Sequence, residues 1–170
     1  MKSFATLLVF VLLSATAHAA CDYDKASDAA DLVLSNKADI EIEVSQQEST
    51  EGGEWLIYFD KNKVPQNIQR TDYGEMGRIT YRLSPGIAGN FLLSSREQSY
   101  AVPFTEPGSF IIREAIEHYQ FCDGKLDLPQ EWPLDSPYAV SARNITDFFF
   151  NAKEIASYIN AAKLRQPIWK

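Results

Sequence analysis

The sequence has few of the residues from which catalytic and metal sites are usually built. It contains two histidines and two cysteines among 170 residues. Multi-histidine metal sites and histidine-based triads therefore have little material, because each needs its own imidazole. There is also no Gly-x-Ser-x-Gly elbow, no Ser-x-x-Lys pair and no glycine-rich phosphate loop. The sequence thus has no motif for a serine hydrolase or a nucleotide-binding protein.

The chain also lacks an excess of positive charge. It has 16 Lys and Arg against 23 Asp and Glu, for a net charge of -7. Nucleic-acid binding and attachment to an anionic membrane surface both depend on clustered basic side chains. We therefore expect neither a nucleic-acid partner nor a polybasic membrane contact.

Long apolar runs are absent except at the start of the chain. Phe4 to Ala15 is mostly apolar, which is shorter than the ~20 residues that a membrane-spanning helix needs. Lys2 precedes this run and Ala17-His18-Ala19 follows it, which is the order of a cleaved secretory signal. We predict a signal peptide over residues 1–20, a single domain over 21–170 and a periplasmic or secreted location. Removal of the signal leaves His118 as the one histidine.

The two cysteines are expected to form a disulfide, because exported chains mature under oxidising conditions. A bond between Cys21 and Cys122 would close a loop of about 100 residues and stabilise the fold by up to ~4.7 kcal/mol. The alternatives are two free thiols, or a lipid anchor on Cys21 that leaves Cys122 unpaired. The lipid anchor requires cleavage immediately before Cys21. His18 occupies the position where that signal normally has an aliphatic residue, so we favour the disulfide.

The apolar pattern predicts an α+β fold. Turn signals recur every 8–15 residues, and apolar and polar residues alternate between them, as in an antiparallel meander. We expect a sheet of five to seven strands with a short N-terminal helix and a longer C-terminal helix packed on it. The predicted helices are 24–37 and 145–164, with Asn144 capping the second. The predicted strands are 40–44, 55–59, 66–73, 78–83, 91–93 and 100–104.

The segment 110–122 fits either a helix or a strand. Ile112, Ala115, Ile116 and Tyr119 have helical spacing. However, the segment ends at Cys122-Asp123-Gly124-Lys125, which resembles a hairpin turn, and it follows several predicted strands. We favour a strand.

Three groupings of side chains have residue types that can perform catalysis or bind a metal. His118 and Cys122 are four residues apart and would share a face, so the imidazole could activate the thiol. Cys21 and Asp123 would complete a zinc set with them, although the spacing is unusual. Glu41 and Glu43 share a strand face, as the carboxylates of a glycosidase do. In an acidic chain such groupings arise by chance, so we predict no catalytic residue, no metal and no cofactor.

The most distinctive polar grouping is a basic and aromatic patch on one predicted hairpin. Arg78 and Arg82 alternate along a strand, and Tyr73 and Thr71 lie on the strand before it. Guanidinium groups beside a tyrosine suit a carboxylate or a protein partner. We therefore predict a small exported module that binds a protein or a cell-envelope component. The alternative is a hydrolase that uses carboxylates or His118.

Overall fold

The computed structural model describes residues 37–47, 49–129 and 131–169. Seven strands form one antiparallel sheet in which each strand pairs with the next along the chain. With the helices that follow, this is an α+β fold built on a strand meander. The strands are β1 (Ile40–Val44), β2 (Gly53–Phe59), β3 (Pro65–Gly74), β4 (Gly77–Pro85), β5 (Phe91–Tyr100), β6 (Ile111–Cys122) and β7 (Lys125–Leu126). Helices α1 (Pro137–Asn151) and α2 (Ala156–Ala161) follow, with short 3₁₀ turns at Ile87–Gly89 and Lys153–Ile155.

Two tight turns set the register of the neighbouring strands. Gly74 faces Gly77, which leaves a two-residue connection between β3 and β4. Cys122 faces Lys125 in the same way, and the two residues between them, Asp123 and Gly124, have φ values of 51° and 74°. Positive φ at both central positions is the requirement of a type I′ hairpin turn, which matches the right-handed twist of the strands.

The hydrophobic core lies between one face of the sheet and the helices. Because strand side chains alternate between faces, every second residue of β2 to β6 points towards it. Phe149 of α1 is fully buried, and its ring meets that of Trp55 edge-on at 5.4 Å between centroids. The buried cluster is Val44, Trp55, Ile57, Ile68, Leu83, Phe91, Leu93, Tyr119 and Phe121 from the sheet, with Ala142, Ile145, Phe149, Ile155 and Ile159 from the helical region.

The single helix predicted over 145–164 is wrong in its bounds and its cap. Helix α1 begins earlier, because Ser136 accepts a hydrogen bond from the Ala139 amide at 3.3 Å and Pro137 occupies the first turn, where a missing N–H costs nothing. Asn144 therefore lies inside the helix. The chain leaves the helix at Ala152, where ψ is 114°, and resumes as α2.

The predicted strands 40–44, 55–59, 66–73 and 78–83 are confirmed to within a few residues, and 110–122 is a strand, as favoured. The separate strand predicted over 100–104 is wrong. Phe91–Tyr100 is one continuous strand, and 101–110 is a loop. The polar run 94–99 hid this continuity, because it lacks the apolar alternation of a strand with one buried face.

The remaining predictions concern residues outside the described ranges. The signal peptide over 1–20, nearly all of the predicted helix 24–37, and Cys21 fall there. Cys122 lies at the end of β6, and its bond to Cys21 stays a prediction. Within the described part of the chain, no helix has the length and apolar character needed to cross a bilayer.

Candidate functional site

The face of the sheet opposite the helices carries a polar cleft. The register places Thr71 opposite Thr80 and Thr80 opposite Arg96, so β3, β4 and β5 present a continuous polar surface on this side. The cleft has a volume of about 340 Å³. Its lining residues are Glu54, Gln69, Thr71, Tyr73, Arg78, Thr80, Arg82, Ser94, Arg96, Gln98, Ile116 and His118.

Three arginines converge on this cleft although the protein as a whole is acidic. Arg78 and Arg82 come from β4 and Arg96 from β5. All three arginines are half-buried. The lining also carries one carboxylate, Glu54, so arginines outnumber acidic side chains three to one in the cleft. An excess of charge of one sign in a cleft attracts oppositely charged ligands, here anions, although the chain as a whole has a net charge of -7.

Gln98 orients Arg78 through a chain of hydrogen bonds. Arg78 donates its Nε–H to Gln98 Oε1 at 2.6 Å, and Gln98 donates its amide to Glu114 Oε1 at 2.5 Å. Glu114 Oε1 also accepts hydrogen bonds from Arg96, whose Nε and Nη2 lie 2.8 and 2.7 Å from it. Gln98 is only 2% exposed, so its amide is held in one orientation by its surroundings. Its hydrogen bond, followed by that of Arg96, lowers the pKa of the Glu114 carboxyl below its ordinary value.

Arg78 differs from Arg96 in what remains available on its guanidinium. Arg96 is engaged by the Glu114 carboxylate through two nitrogens. Arg78 uses its Nε for Gln98, and its two terminal nitrogens make no hydrogen bond or ion pair with any residue in the described ranges. A guanidinium held at Nε with both terminal nitrogens available is arranged to donate to an anion.

Hydroxyl and amide groups fill the middle of the cleft. Arg82 donates from Nη2 to Gln69 Oε1 at 3.2 Å, and Gln69 reaches Thr71 Oγ1 at 3.4 Å. The hydroxyls of Thr71 and Thr80 lie 3.3 Å apart. Thr71 is 3% exposed. Because the threonine side chains are short, they leave space in the cleft between the arginines.

An aromatic group forms one end of the cleft. Tyr73 donates its hydroxyl to Glu54 Oε1 at 2.6 Å, and its ring stacks on Phe104 at 6.0 Å between centroids. Phe104 comes from the 101–110 loop and also packs against Tyr100 at 6.2 Å. Burial, reinforced by the hydrogen bond to Glu54, raises the pKa of Tyr73 to about 12. The hydroxyl therefore stays protonated at physiological pH and remains a donor to Glu54.

The structure brings together the residues of the predicted patch. Arg78, Arg82 and Tyr73 all line the cleft, and so does Thr71. Sequence reasoning missed Arg96, Gln98 and the aromatic contribution of Phe104. Arg96 and Gln98 are two residues apart on β5 and therefore share a face, and this alternation of long polar side chains was the available signal.

The other groupings considered from the sequence are not assembled as proposed. His118 lies at the exposed rim of the cleft, and four residues along a strand span about 13 Å, so it cannot share a proton or a metal with Cys122. Glu41 and Glu43 are exposed on β1, outside the cleft. No group of three or more His, Cys, Asp or Glu that could hold a metal occurs in the residues the structure describes. Cys21, needed for the zinc set, is outside them.

Comparisons of this chain with protein-family models, with curated proteins and with solved structures find no match.

Proposed function

We propose that this chain is a small exported binding module, and that its sheet cleft binds a carboxylate-bearing group of an envelope component. The observation that carries the proposal is Arg78. Its Nε is held by Gln98, while its terminal nitrogens face no described partner. Arg82 and Arg96 add positive charge to the same cleft.

The size and chemistry of the cleft support a small ligand or a single group of a larger one. A volume of about 340 Å³ is at the lower end of the ~300–1,000 Å³ typical of small-molecule sites. The Tyr73–Phe104 stack provides an apolar surface beside the arginines, on which a ring could pack. Carboxylates suit the planar guanidinium, because two parallel N–H bonds can form to one group.

Export is supported by the charged, apolar and small-residue order of the first 20 residues. An oxidising compartment would also allow the bond between Cys21 and Cys122. The envelope location and the binding role are thus parts of one proposal.

The test compares two carboxylates, glucuronate and succinate, with the neutral sugar glucose by titration calorimetry. We expect saturable binding of a carboxylate, no measurable binding of glucose, and weaker affinity as salt is raised. Arg78→Gln should weaken binding about 10- to 150-fold, the equivalent of one charged hydrogen-bonded pair. Lys61→Gln, at an exposed turn outside the cleft, is the matched control because it removes the same charge.

Three results would each overturn the proposal. They are equal binding of glucose and glucuronate, no saturable binding of either carboxylate, and equal losses of affinity in Arg78→Gln and Lys61→Gln. The hydrolase alternative predicts instead that His118→Ala or Glu41→Gln abolishes an activity measured on envelope polymers. Retained carboxylate binding in these two variants, with no hydrolytic product from the unaltered chain, would exclude it.

A further inference from the structure

Strand β6 has a long unpaired edge. Ile111 and residues 113–121 pair with β5 on one side, but on the other side β7 pairs only with Phe121 and Cys122. The Gln120 carbonyl accepts the Asp127 amide, and the His118 carbonyl accepts the Tyr138 hydroxyl, so both point to this outer side. In an antiparallel ladder, alternate residues direct their N–H and C=O to the same side. Glu114 and Ile116 therefore present backbone donors and acceptors to the edge, and no described residue pairs with them.

The side chains along this edge are unusually apolar for an unpaired strand. Phe110 is 63% exposed, Ile112 61% and Ile116 50%. Native proteins usually protect such an edge with proline, a bulge or a covering loop, because it otherwise pairs with another strand. The pairing with β5 is irregular at Ile112, but from Arg113 to Glu117 the described structure shows no proline, no further bulge and no covering loop. The edge has the properties of a strand that pairs with a second chain.

The charges along β6 are complementary to themselves when the strand is reversed. In the segment Arg113-Glu114-Ala115-Ile116-Glu117, an antiparallel copy centred on Ala115 places Arg113 opposite Glu117 and the reverse. Arg113 has no hydrogen-bond or ionic partner within the described chain, and Glu117 contacts only the Tyr119 hydroxyl. Opposite charges directly across a ladder stabilise it, and like charges destabilise it.

We propose that two copies of this chain associate by antiparallel pairing of their β6 edges, centred on Ala115. In this register Glu114 and Ile116 of the partner subunit exchange both backbone hydrogen bonds, as do the reciprocal pair. Ala115 meets its own copy at a position without ladder hydrogen bonds, where the strands approach most closely and a small side chain is needed. The Tyr138 contact at His118 ends the ladder on each side.

The two neighbouring registers are less favourable. Only residues whose backbone groups face outward can exchange hydrogen bonds with the partner strand. The two-fold axis must therefore pass through a residue, and the neighbouring registers are centred on Glu114 and on Ile116. A centre on Glu114 puts two like carboxylates opposite each other, and a centre on Ile116 removes both Arg113–Glu117 pairs. Only the register at Ala115 satisfies the charges.

The paired strands would join the two sheets without turning either over, since a two-fold axis perpendicular to the sheet reverses the strand direction and keeps equivalent faces on the same side. Ile116 and His118 belong to both β6 and the cleft lining. The two clefts would therefore lie side by side on one continuous surface. The dimer does not depend on the ligand proposed for the cleft.

The test is a charge reversal read by analytical ultracentrifugation of the exported, processed chain. We expect a reversible dimer, and we expect Arg113→Glu and Glu117→Arg each to raise its dissociation constant at least about tenfold, because each places two like-charge pairs across the interface. The double variant R113E/E117R should restore the dimer. Lys61→Glu is the control for the change in net charge. Circular dichroism would verify that each variant folds.

A second readout uses a cysteine at the proposed two-fold axis. Ala115→Cys should give a reductant-sensitive covalent dimer on mild oxidation, and Lys61→Cys should not. A monomer at every concentration would overturn the proposal, including the case in which the chain's own N-terminal segment covers the edge. So would a dimer that is unaffected by the single reversals or not restored by the double variant.

Discussion

Gln98→Leu tests how the cleft is held together. Gln98 is almost fully buried and connects Arg78 to Glu114 with bonds of 2.6 and 2.5 Å. Leucine preserves most of the volume but removes both hydrogen bonds and leaves the Arg78 Nε without its acceptor. A hydrogen bond to a charged group contributes about 1.5–3 kcal/mol. Glu114 is exposed and keeps both contacts with Arg96, so the loss of its hydrogen bond from Gln98 lowers the stability only slightly. We expect the free energy of unfolding to fall by about 2–3 kcal/mol.

The loss can be measured by urea unfolding followed by tryptophan fluorescence, because Trp55 is buried in the core and reports global unfolding. Gln66→Leu is the control, since Gln66 lies on β3 and makes no side-chain hydrogen bond within the described residues. The pKa of Glu114, followed by carboxyl-carbon NMR, should rise towards its ordinary value in Gln98→Leu, because its largest cause of depression is removed. A stability loss below about 0.5 kcal/mol, or an unchanged Glu114 pKa, would refute the reasoning.

Three further predictions follow from the same structure. Tyr73 and Tyr119 both have a pKa raised to about 12, so their contribution to stability is complete below pH ~10 and is lost as the pH rises towards 12. Tyr73→Phe and Tyr119→Phe should each reduce this loss of stability, measured by thermal unfolding across the same pH range. An unchanged pH dependence would contradict the raised pKa values. Phe149→Ala should lower the unfolding free energy by about 3–5 kcal/mol, whereas Phe104→Ala, at an exposed loop, should cost much less; similar losses in urea unfolding would contradict the placement of the core. The intact mass of exported protein, measured with and without reductant and alkylation, should show cleavage after Ala19 or Ala20, no lipid, and one reducible bond between Cys21 and Cys122. Retention of the signal peptide would contradict the export prediction, and a lipid-sized mass increase would contradict the disulfide prediction.

The sequence predicts strands well where one face is apolar and the other is polar. In β1, Ile40, Ile42 and Val44 alternate with Glu41 and Glu43, and the strand follows those residues. In β5 the rule fails after Leu93, because Arg96 and Gln98 face the polar cleft while Glu97 is exposed on the other side. Periodic apolar patterning carries no signal where neither face is apolar.

The C-terminal helix was misplaced because its start is marked by local chemistry and not by periodicity. The helix begins at Ser136-Pro137, a favourable pair for a helix N-terminus that periodicity does not detect. The break at Ala152 has no sequence signal of its own, since alanine is a strong helix former. The break accompanies the burial of Ile155 and Ile159 in the core, which is a tertiary effect.

Part of the candidate site could be predicted from the sequence. Arg78, Arg82 and Tyr73 lie on adjoining strands of one short hairpin, so local reasoning places them together. Arg96 and Gln98 join them only through the pairing of β4 with β5, whose register depends on the whole sheet. The distinction between an open strand face and a cleft likewise depends on long-range structure.

In the proposed function, the Arg78 guanidinium receives a carboxylate in the cleft. The most direct measurement follows the arginine side-chain N–H signals by NMR while glucuronate is added, with glucose as the neutral control. We expect a saturable shift of the Arg78 signals and little change at Arg113 and Arg165, which are exposed and lie outside the cleft lining. Small, non-saturating shifts of similar size at all three arginines, or the same response to glucose, would contradict it.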